Sequence, residues 1–258
     1  MLHRTLLQDP YYNLFMIGDL EALGISHEHL FYWGRFSSRG LAGVAMRYRR
    51  NWQFYDGGGV DLALFAKAVD VYPEDCAMQG RESLVDAVGA NLRACHVTRT
   101  RDCRYCRLPL GSPLPAFSAS VRRATTADMG QLVRLYQDAD EMQRDADSIR
   151  SILNHGRIFV TEAQNHIVSV ALTNVETGTM AMVGGVYTPE PWRHRGYASA
   201  AMAALCTSLL ADGREPCLFY DNPAAGAIYR RLGFQELGGW RMVSLEHHSP
   251  GRPGQAPP

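Results

Sequence analysis

Residues 193–198 read Arg193-His194-Arg195-Gly196-Tyr197-Ala198, set between the apolar run Thr179–Thr188 and an Ala-rich stretch Ser199–Leu210. A strand, a short basic loop with one glycine and then a helix is an arrangement that offers backbone N–H groups to a phosphate. Gly196 lets the backbone come close, the helix N-terminus adds unpaired donors and a positive dipole end, and two arginines supply charge. The expected fold is therefore α/β, with a phosphate-binding turn between strand and helix.

Upstream of that loop, Ser120–Thr125 reads as a short strand, and Thr126 as the cap of a helix from Ala127 to Asp138 with Leu132, Leu135 and Tyr136 at helical spacing. A second helix fits Asp145–Asn154. The runs Arg157–Ala163, Ile167–Asn174 and Thr179–Thr188 are separated by turn-like Gln164-Asn165-His166 and Glu176-Thr177-Gly178, which predicts an antiparallel meander. Downstream come a strand at Pro216–Tyr220, a helix at Pro223–Leu232 and a last strand at Trp240–Glu246. The sheet is expected to be mixed and mostly antiparallel, flanked by helices.

The N-terminal half shows a weaker version of the same order, without a residue-level repeat: a helix at Tyr11–Leu23, strands at His29–Phe36, Leu41–Arg47 and Asn51–Tyr55, and a helix at Asp61–Val69. A strand at Cys76–Met78, a helix at Arg81–Leu92 and a strand at Cys95–Arg101 complete it. Where the C-terminal half has its basic loop, this half has Asp56-Gly57-Gly58-Gly59-Val60, an acid and no arginine, which serves a phosphate poorly. Pro109-Leu-Gly-Ser-Pro-Leu-Pro-Ala116 suits neither a long helix nor a central strand. The expected organisation is thus residues 1–108, a linker at 109–119, a domain at 120–248 and a disordered tail at 249–258.

With 258 residues, 46% of them hydrophobic, the chain can bury a sizeable core, and its formal net charge of zero gives no electrostatic case for nucleic-acid or membrane binding. No apolar run reaches membrane-span length and no signal-peptide core opens the sequence, so six cysteines in a reducing cytoplasm are expected. Cys103-x-x-Cys106 beside Cys95-His96 has no second pair, and no metal is expected there.

Two signatures together resemble the GNAT superfamily of N-acyltransferases. One is Val186-Tyr-Thr-Pro-Glu-Pro-Trp-Arg193-His-Arg-Gly196-Tyr-Ala198, and the other Asn222-Pro-Ala-Ala225-Gly-Ala-Ile-Tyr229-Arg-Arg-Leu-Gly233-Phe234. The resemblance covers residues 120–248 and suggests a degenerate second copy in the N-terminal half. It implies acetyl-CoA as co-substrate, with the pyrophosphate on the N–H groups of Arg193, His194, Arg195, Gly196, Tyr197 and Ala198. It also implies the pantetheine arm along the backbone of Val186, Tyr187 and Thr188, with Asn222 contacting that arm or orienting a water. Tyr229 falls where the family places its general acid.

The reaction so implied is direct attack of a primary amine, from a small molecule or a protein, on the thioester. Many family members carry a glutamate on the fourth strand, but Thr179–Thr188 has no carboxylate. Glu162, Glu176, Glu190 and Asp221 are the candidate bases, and none is singled out. A non-catalytic acyl-CoA-binding or regulatory protein is the alternative, and the N-terminal half could be a separate ligand sensor. The acceptor, the acyl chain and the oligomeric state have no readable motif.

Overall fold

The computed structural model describes residues 1–139 and 142–247, so the expected tail at 249–258 lies outside the described residues. In chain order the elements are α1 (Leu2–Leu6), α2 (Leu14–Leu23), β1 (Leu30–Ser37), β2 (Gly40–Tyr48), β3 (Asn51–Asp56), α3 (Ala63–Asp70), β4 (Cys76–Arg81), α4 (Glu82–Gly89) and β5 (Cys95–Arg107). They continue with β6 (Val121–Arg123), α5 (Met129–Gln137), α6 (Ala146–His155), β7 (Ile158–Ala163), β8 (His166–Glu176), β9 (Met180–Tyr187), α7 (Tyr197–Ala211), β10 (Glu215–Tyr220), α8 (Pro223–Arg231) and β11 (Gln235–His247).

Two compact units divide the chain: Met1–Cys103 with the segment from Gly239 onward, and Arg104–Gly238. These cuts fall inside β5 and β11, not at the Pro-rich stretch where the sequence suggests a boundary. Strand pairing is the reason. Arg104–Arg107 pairs antiparallel with Cys217–Tyr220 in the second unit, while Trp240–Leu245 pairs antiparallel with Cys76–Arg81 in the first. A cut at residue 109 would sever ladders that local proline content cannot report.

In the first unit the strand order is β1-β2-β3-β4-β11-β5, with β3 and β4 parallel. In the second it is β5-β10-β9-β8-β7-β6, with β9 and β10 parallel. The meander β7-β8-β9 is antiparallel throughout. Each sheet is therefore mixed and mostly antiparallel, with helices flanking it.

The core of the second unit explains why β8 is buried from Ile167 to Thr173. Val170 and Leu172 pack with Leu132, Leu135 and Tyr136 of α5 and Ile149 of α6. Ala171, on the opposite face, packs with Ala201, Met202, Leu205 and Leu209 of α7. Successive side chains alternate across a strand, so covering both faces needs an unbroken apolar run.

Two local readings shift. The five-residue α1 is too short to show a hydrophobic period, and the sequence reading passes over it. The cap before α5 is Thr125 rather than Thr126: a turn of 3-10 helix spans Thr126–Asp128, and the Asp128 carboxylate accepts the Thr125 N–H at 2.7 Å. Asp128 is buried and bridged to Arg122 at 2.7 Å. Those bonds hold its pKa down, from 3.8 to about 2, chiefly through the Arg122 guanidinium.

A folded-state pKa below the unfolded value means stability that is full above pH 3.8 and lost as pH falls through about 2. Solvent screens the 39% exposed Arg122 side chain, so the gain is set at ~1–2 kcal/mol. Asp128→Asn should therefore lower the urea midpoint at pH 6, and its gap from the parent protein should close between about pH 4 and pH 2. A gap that stays constant with pH would show that the carboxylate charge contributes nothing.

Candidate active site

Strands β9 and β10 pair at only three positions, Glu215↔Met180, Pro216↔Ala181 and Cys217↔Met182. Beyond Met182 both strands continue, to Tyr187 and Tyr220, without a further rung between them. Tyr220, at the far end of β10, stays paired with Arg104 of β5, so the separation is from β9 alone. A gap between two parallel strands opens toward their C-terminal ends, the side from which open α/β sheets bind ligands.

On its other side β9 slips register against β8 twice: Asn174 is the extra residue on β8 between Thr173↔Val183 and Val175↔Met182, and Gly185 and Val186 share the space opposite Ala171 between Val170↔Tyr187 and Leu172↔Gly184. The latter is a β-bulge, and Gly185 supplies its left-handed residue with φ +55°. A Cβ on Gly185 would meet the Tyr136 hydroxyl at 2.8 Å and Leu172 at 3.0 Å. The Tyr136 hydroxyl donates to the Gly185 carbonyl and its ring stacks on Tyr187, whose own hydroxyl donates to the Asp138 carbonyl at 2.8 Å. Helix α5 thus clamps the bulge. In the sequence, the helical spacing of Tyr136 marks it only as a core residue, and the Gly184-Gly185 pair inside a strand pattern is the one local sign of a bulge.

The bulge separates the three β9 residues expected to run beside a ligand. Tyr187 is committed to β8: it pairs with Val170, and its carbonyl accepts from Ser169 Oγ at 3.3 Å. The Thr188 carbonyl is taken by Arg193 Nε at 2.9 Å, and its hydroxyl bonds Ser169 Oγ at 2.7 Å. Val186 sits in the bulge, with no rung to β8 or β10.

After β9 the chain makes a 3-10 turn, Glu190–Trp192, and enters α7 through the basic loop. Gly196 is the left-handed N-cap with φ +79°, and His194 is left-handed too, with φ +62°. The first intrahelical bond is Ala200 N–H to the Gly196 carbonyl at 3.0 Å. Among the described residues, the N–H groups of His194 through Ser199 find no acceptor. Residues 193–196 are exposed, and a Cβ on Gly196 would meet nothing within 4 Å. The helix start is held from behind by Thr161 Oγ, which donates to the Tyr197 carbonyl at 3.0 Å. Of the two arginine side chains, Arg193 staples the loop to β9 and Arg195 lies over the Trp192 ring at 5.4 Å.

Past β10, Asn222 caps α8 by accepting the Ala224 N–H at 2.9 Å, which leaves its amide nitrogen available to a ligand. Gly226 lets α8 lie close on Tyr220, whose ring would be 2.3 Å from a Cβ there. Tyr229 is 8% exposed, with its ring 5.4 Å from Tyr220 and 5.9 Å from Phe234. Among the described residues its hydroxyl has no hydrogen-bond partner. Burial raises its pKa above the ordinary phenol value, with smaller contributions from Cys206, Cys106 and Tyr220, so it is protonated at neutral pH.

Residues 124–234 match the acetyltransferase (GNAT) family. The chain carries a GNAT N-acyltransferase domain. Solved structures share the fold over nearly the whole chain. A GNAT-family acetyltransferase from Novosphingobium aromaticivorans has TM-score 0.66 and 18% identity, covering 94% of this chain and 99% of that one. A GCN5-related N-acetyltransferase from Sphaerobacter thermophilus has TM-score 0.62 and 18% identity, covering 91% and 85%. A tandem GNAT protein from the clavulanic acid biosynthesis pathway, solved without AcCoA, has TM-score 0.58 and 14% identity, covering 93% and 89%. Similarity at these identities carries the fold and no further. No curated protein sequence matches the chain.

Two of the four candidate bases are committed elsewhere in the GNAT domain. Glu162 is bridged to Arg122 at 2.6 Å. Glu176 is held by Arg214 at 2.7 Å and Arg157 at 3.3 Å, and accepts from Thr173 Oγ at 2.9 Å. Glu190 and Asp221 are exposed and follow the open ends of β9 and β10. Cys103 and Cys106 are both buried, and among the described residues no group of three or more His, Cys, Asp or Glu side chains is placed to hold a metal.

Gly185→Ala should cost about 1–3 kcal/mol, combining a left-handed backbone strain with the clash on Tyr136 and Leu172. A chemical denaturation curve indistinguishable from the parent's would mean that the bulge re-forms without glycine.

Proposed function

We propose that the GNAT domain transfers an acetyl group from acetyl-CoA to a primary amine, by direct attack of the amine on the thioester. The observation that carries this reading is the gap between β9 and β10 past Met182, leading to the acceptor-free N–H groups of His194–Ser199. The donor set fits the group: a pyrophosphate needs several convergent N–H donors at a helix start, and an extended pantetheine amide needs a free strand edge. Residues 193–198 would hold the first and Val186 the second, with the Asn222 amide nitrogen as a further donor. Acetyl-CoA supplies an activated acyl group and a thiolate leaving group.

The protein's part is positioning and proton management. Backbone dipoles at the bulge are fixed by Tyr136, so they need no reorganisation as negative charge develops nearby. As the amine nitrogen bonds to the acyl carbon and the carbon–sulfur bond breaks, the Tyr229 hydroxyl gives its proton to the sulfur. The proton lost by the nitrogen leaves to water at the open end, where Glu190 and Asp221 lie, and Tyr229 recovers its proton by the same route. A phenol raised by burial is a weak acid, but the same dry environment also raises the proton affinity of the departing thiolate. The unpaired tyrosine hydroxyl favours turnover over passive binding of an acyl-CoA. A cytoplasmic protein and a small-molecule or protein amine are part of the same reading.

Acetyl-CoA at a hundredfold its dissociation constant should stabilise the purified protein by about 2.7 kcal/mol, seen as a raised melting temperature that ATP does not reproduce. Gly196→Glu should abolish the shift by placing a carboxylate at the phosphate loop. Tyr229→Phe should keep the shift and lower amine acetylation roughly 10²-fold or more. No shift at millimolar acetyl-CoA in a folded protein would refute the reading, and a Tyr229→Phe protein with full activity would remove the tyrosine from it.

A further inference from the structure

The first unit has its own parted strands. Parallel β3 and β4 pair only at Asn51↔Ala77 and Trp52↔Met78, although they run on to Asp56 and Arg81. In the region past those rungs is a cavity of about 250 Å³, lined by Asp9, Tyr12, Phe54, Tyr55, Asp56 and Arg81 among others. The cleft is open to solvent on one side and has room for a small molecule.

Its charge is the reverse of an anion site. In the loop after β3, Asp56 Oδ1 accepts the Gly58 N–H at 2.8 Å and the Val60 N–H at 3.4 Å. The carboxylate thus occupies donors that a phosphate would need, and its own charge repels one. The cation in the lining, Arg81, is already engaged: it bonds Asp9 at 2.5 Å and lies 3.7 Å from the Tyr12 ring centroid. The cavity therefore holds one cation by pairing a carboxylate with an aromatic face. Asp56 is its second carboxylate. Among the described residues Asp56 has no cationic partner, and its Oδ2 accepts no hydrogen bond. Phe54, 6% exposed, projects from the same face of β3 as Asp56 and borders it with aromatic surface, while Tyr55 projects from the opposite face. Tyr55 feels both acids: burial first, then the charges of Asp9 and Asp56, push its phenol pKa up. Carboxylate and aromatic surface together are the chemistry that selects organic ammonium ions.

We propose that this cleft is a binding site for a small organic ammonium ion, held by the Asp56 carboxylate against Phe54, and that it does not take an acyl-CoA. The site lies wholly within the first unit and stands whether or not the GNAT domain uses acetyl-CoA.

The test is isothermal titration of the full-length protein with choline and n-butylammonium, against the neutral isosteres 3,3-dimethylbutanol and n-butanol. The ammonium ions should bind, and the neutral isosteres about tenfold or more weaker, as loss of a charge-assisted contact predicts. Asp56→Asn keeps an oxygen for the Gly58 and Val60 N–H groups and removes the charge, so it should weaken ammonium binding by about tenfold or more at an unchanged melting temperature. Ala87→Leu, which fills the cavity from α4, should abolish it, and it tests the site if Asp56→Asn fails to fold. Absence of ammonium binding at millimolar concentration, equal binding of the neutral isosteres, or ammonium binding that survives both substitutions would overturn the proposal. The last outcome would place the amine elsewhere. Displacement of a bound ammonium ion from this site by CoA would overturn it as well.

Discussion

The crevice in the GNAT domain exists because two neighbouring strands leave a run of ladder hydrogen bonds unmade. Two parallel strands with compatible sequences ordinarily zip along their shared length, but β9 and β10 stop after three positions. Beside the parting, β9 slips register against β8 at Asn174 and again at Gly185–Val186, and the Tyr136 hydroxyl on the Gly185 carbonyl fixes the second bulge in place. An unzipped strand edge leaves backbone groups that must find partners in water or a ligand, a cost of order 1 kcal/mol or more per group if they were left buried and dry. The fold tolerates the opening because α5 reinforces one side of β9 and β5 completes the sheet beyond β10.

The same device appears in both units with opposite electrostatics. A strand parting from its parallel neighbour makes a crevice, but the residues of the following loop decide what the crevice accepts. At Arg193–Ala198 the loop carries two guanidinium groups and N–H donors without acceptors. At Asp56–Val60 a carboxylate satisfies the donors internally. A backbone N–H cluster is neutral hardware, and a single acidic side chain converts it from an anion trap into a negatively charged wall. Topology is shared, and ligand chemistry is set by a few side chains at the crevice mouth.

Element types were largely legible in the sequence because local signals agree with tertiary packing. Asp145 and Asn222 cap the helices their positions suggest, and the apolar run of β8 shows that both its faces are covered. The site loop was legible because glycine and arginine at a strand-to-helix junction have a local physical meaning. Three things were not. Unit boundaries depend on β5 and β11 pairing with strands distant in sequence, which the Pro-rich stretch obscures. The left-handed conformation of His194 depends on the turn around it: histidine is enriched at positive φ, but such residues are too rare for identity alone to predict one. The role of Tyr136 depends on an approach between residues 49 apart in sequence.

Proton flow places the last constraint on the site. The ion pairs that stabilise the GNAT domain also remove Glu162 and Glu176 from the chemistry, because each oxygen that accepts from a guanidinium is one fewer to accept from an ammonium. The acid and base functions therefore separate in space. Under the proposed transfer the acid would be a buried tyrosine whose environment keeps it protonated, while Glu190 and Asp221 face solvent at the strand ends. Such a division suits a reaction that needs a dry leaving group and a wet exit for one proton. If the proposed acceptor is an amine, the burden of deprotonation would fall on the substrate: without a carboxylate on β9, an amine of lower pKa, already neutral in larger fraction at working pH, would gain most from this site.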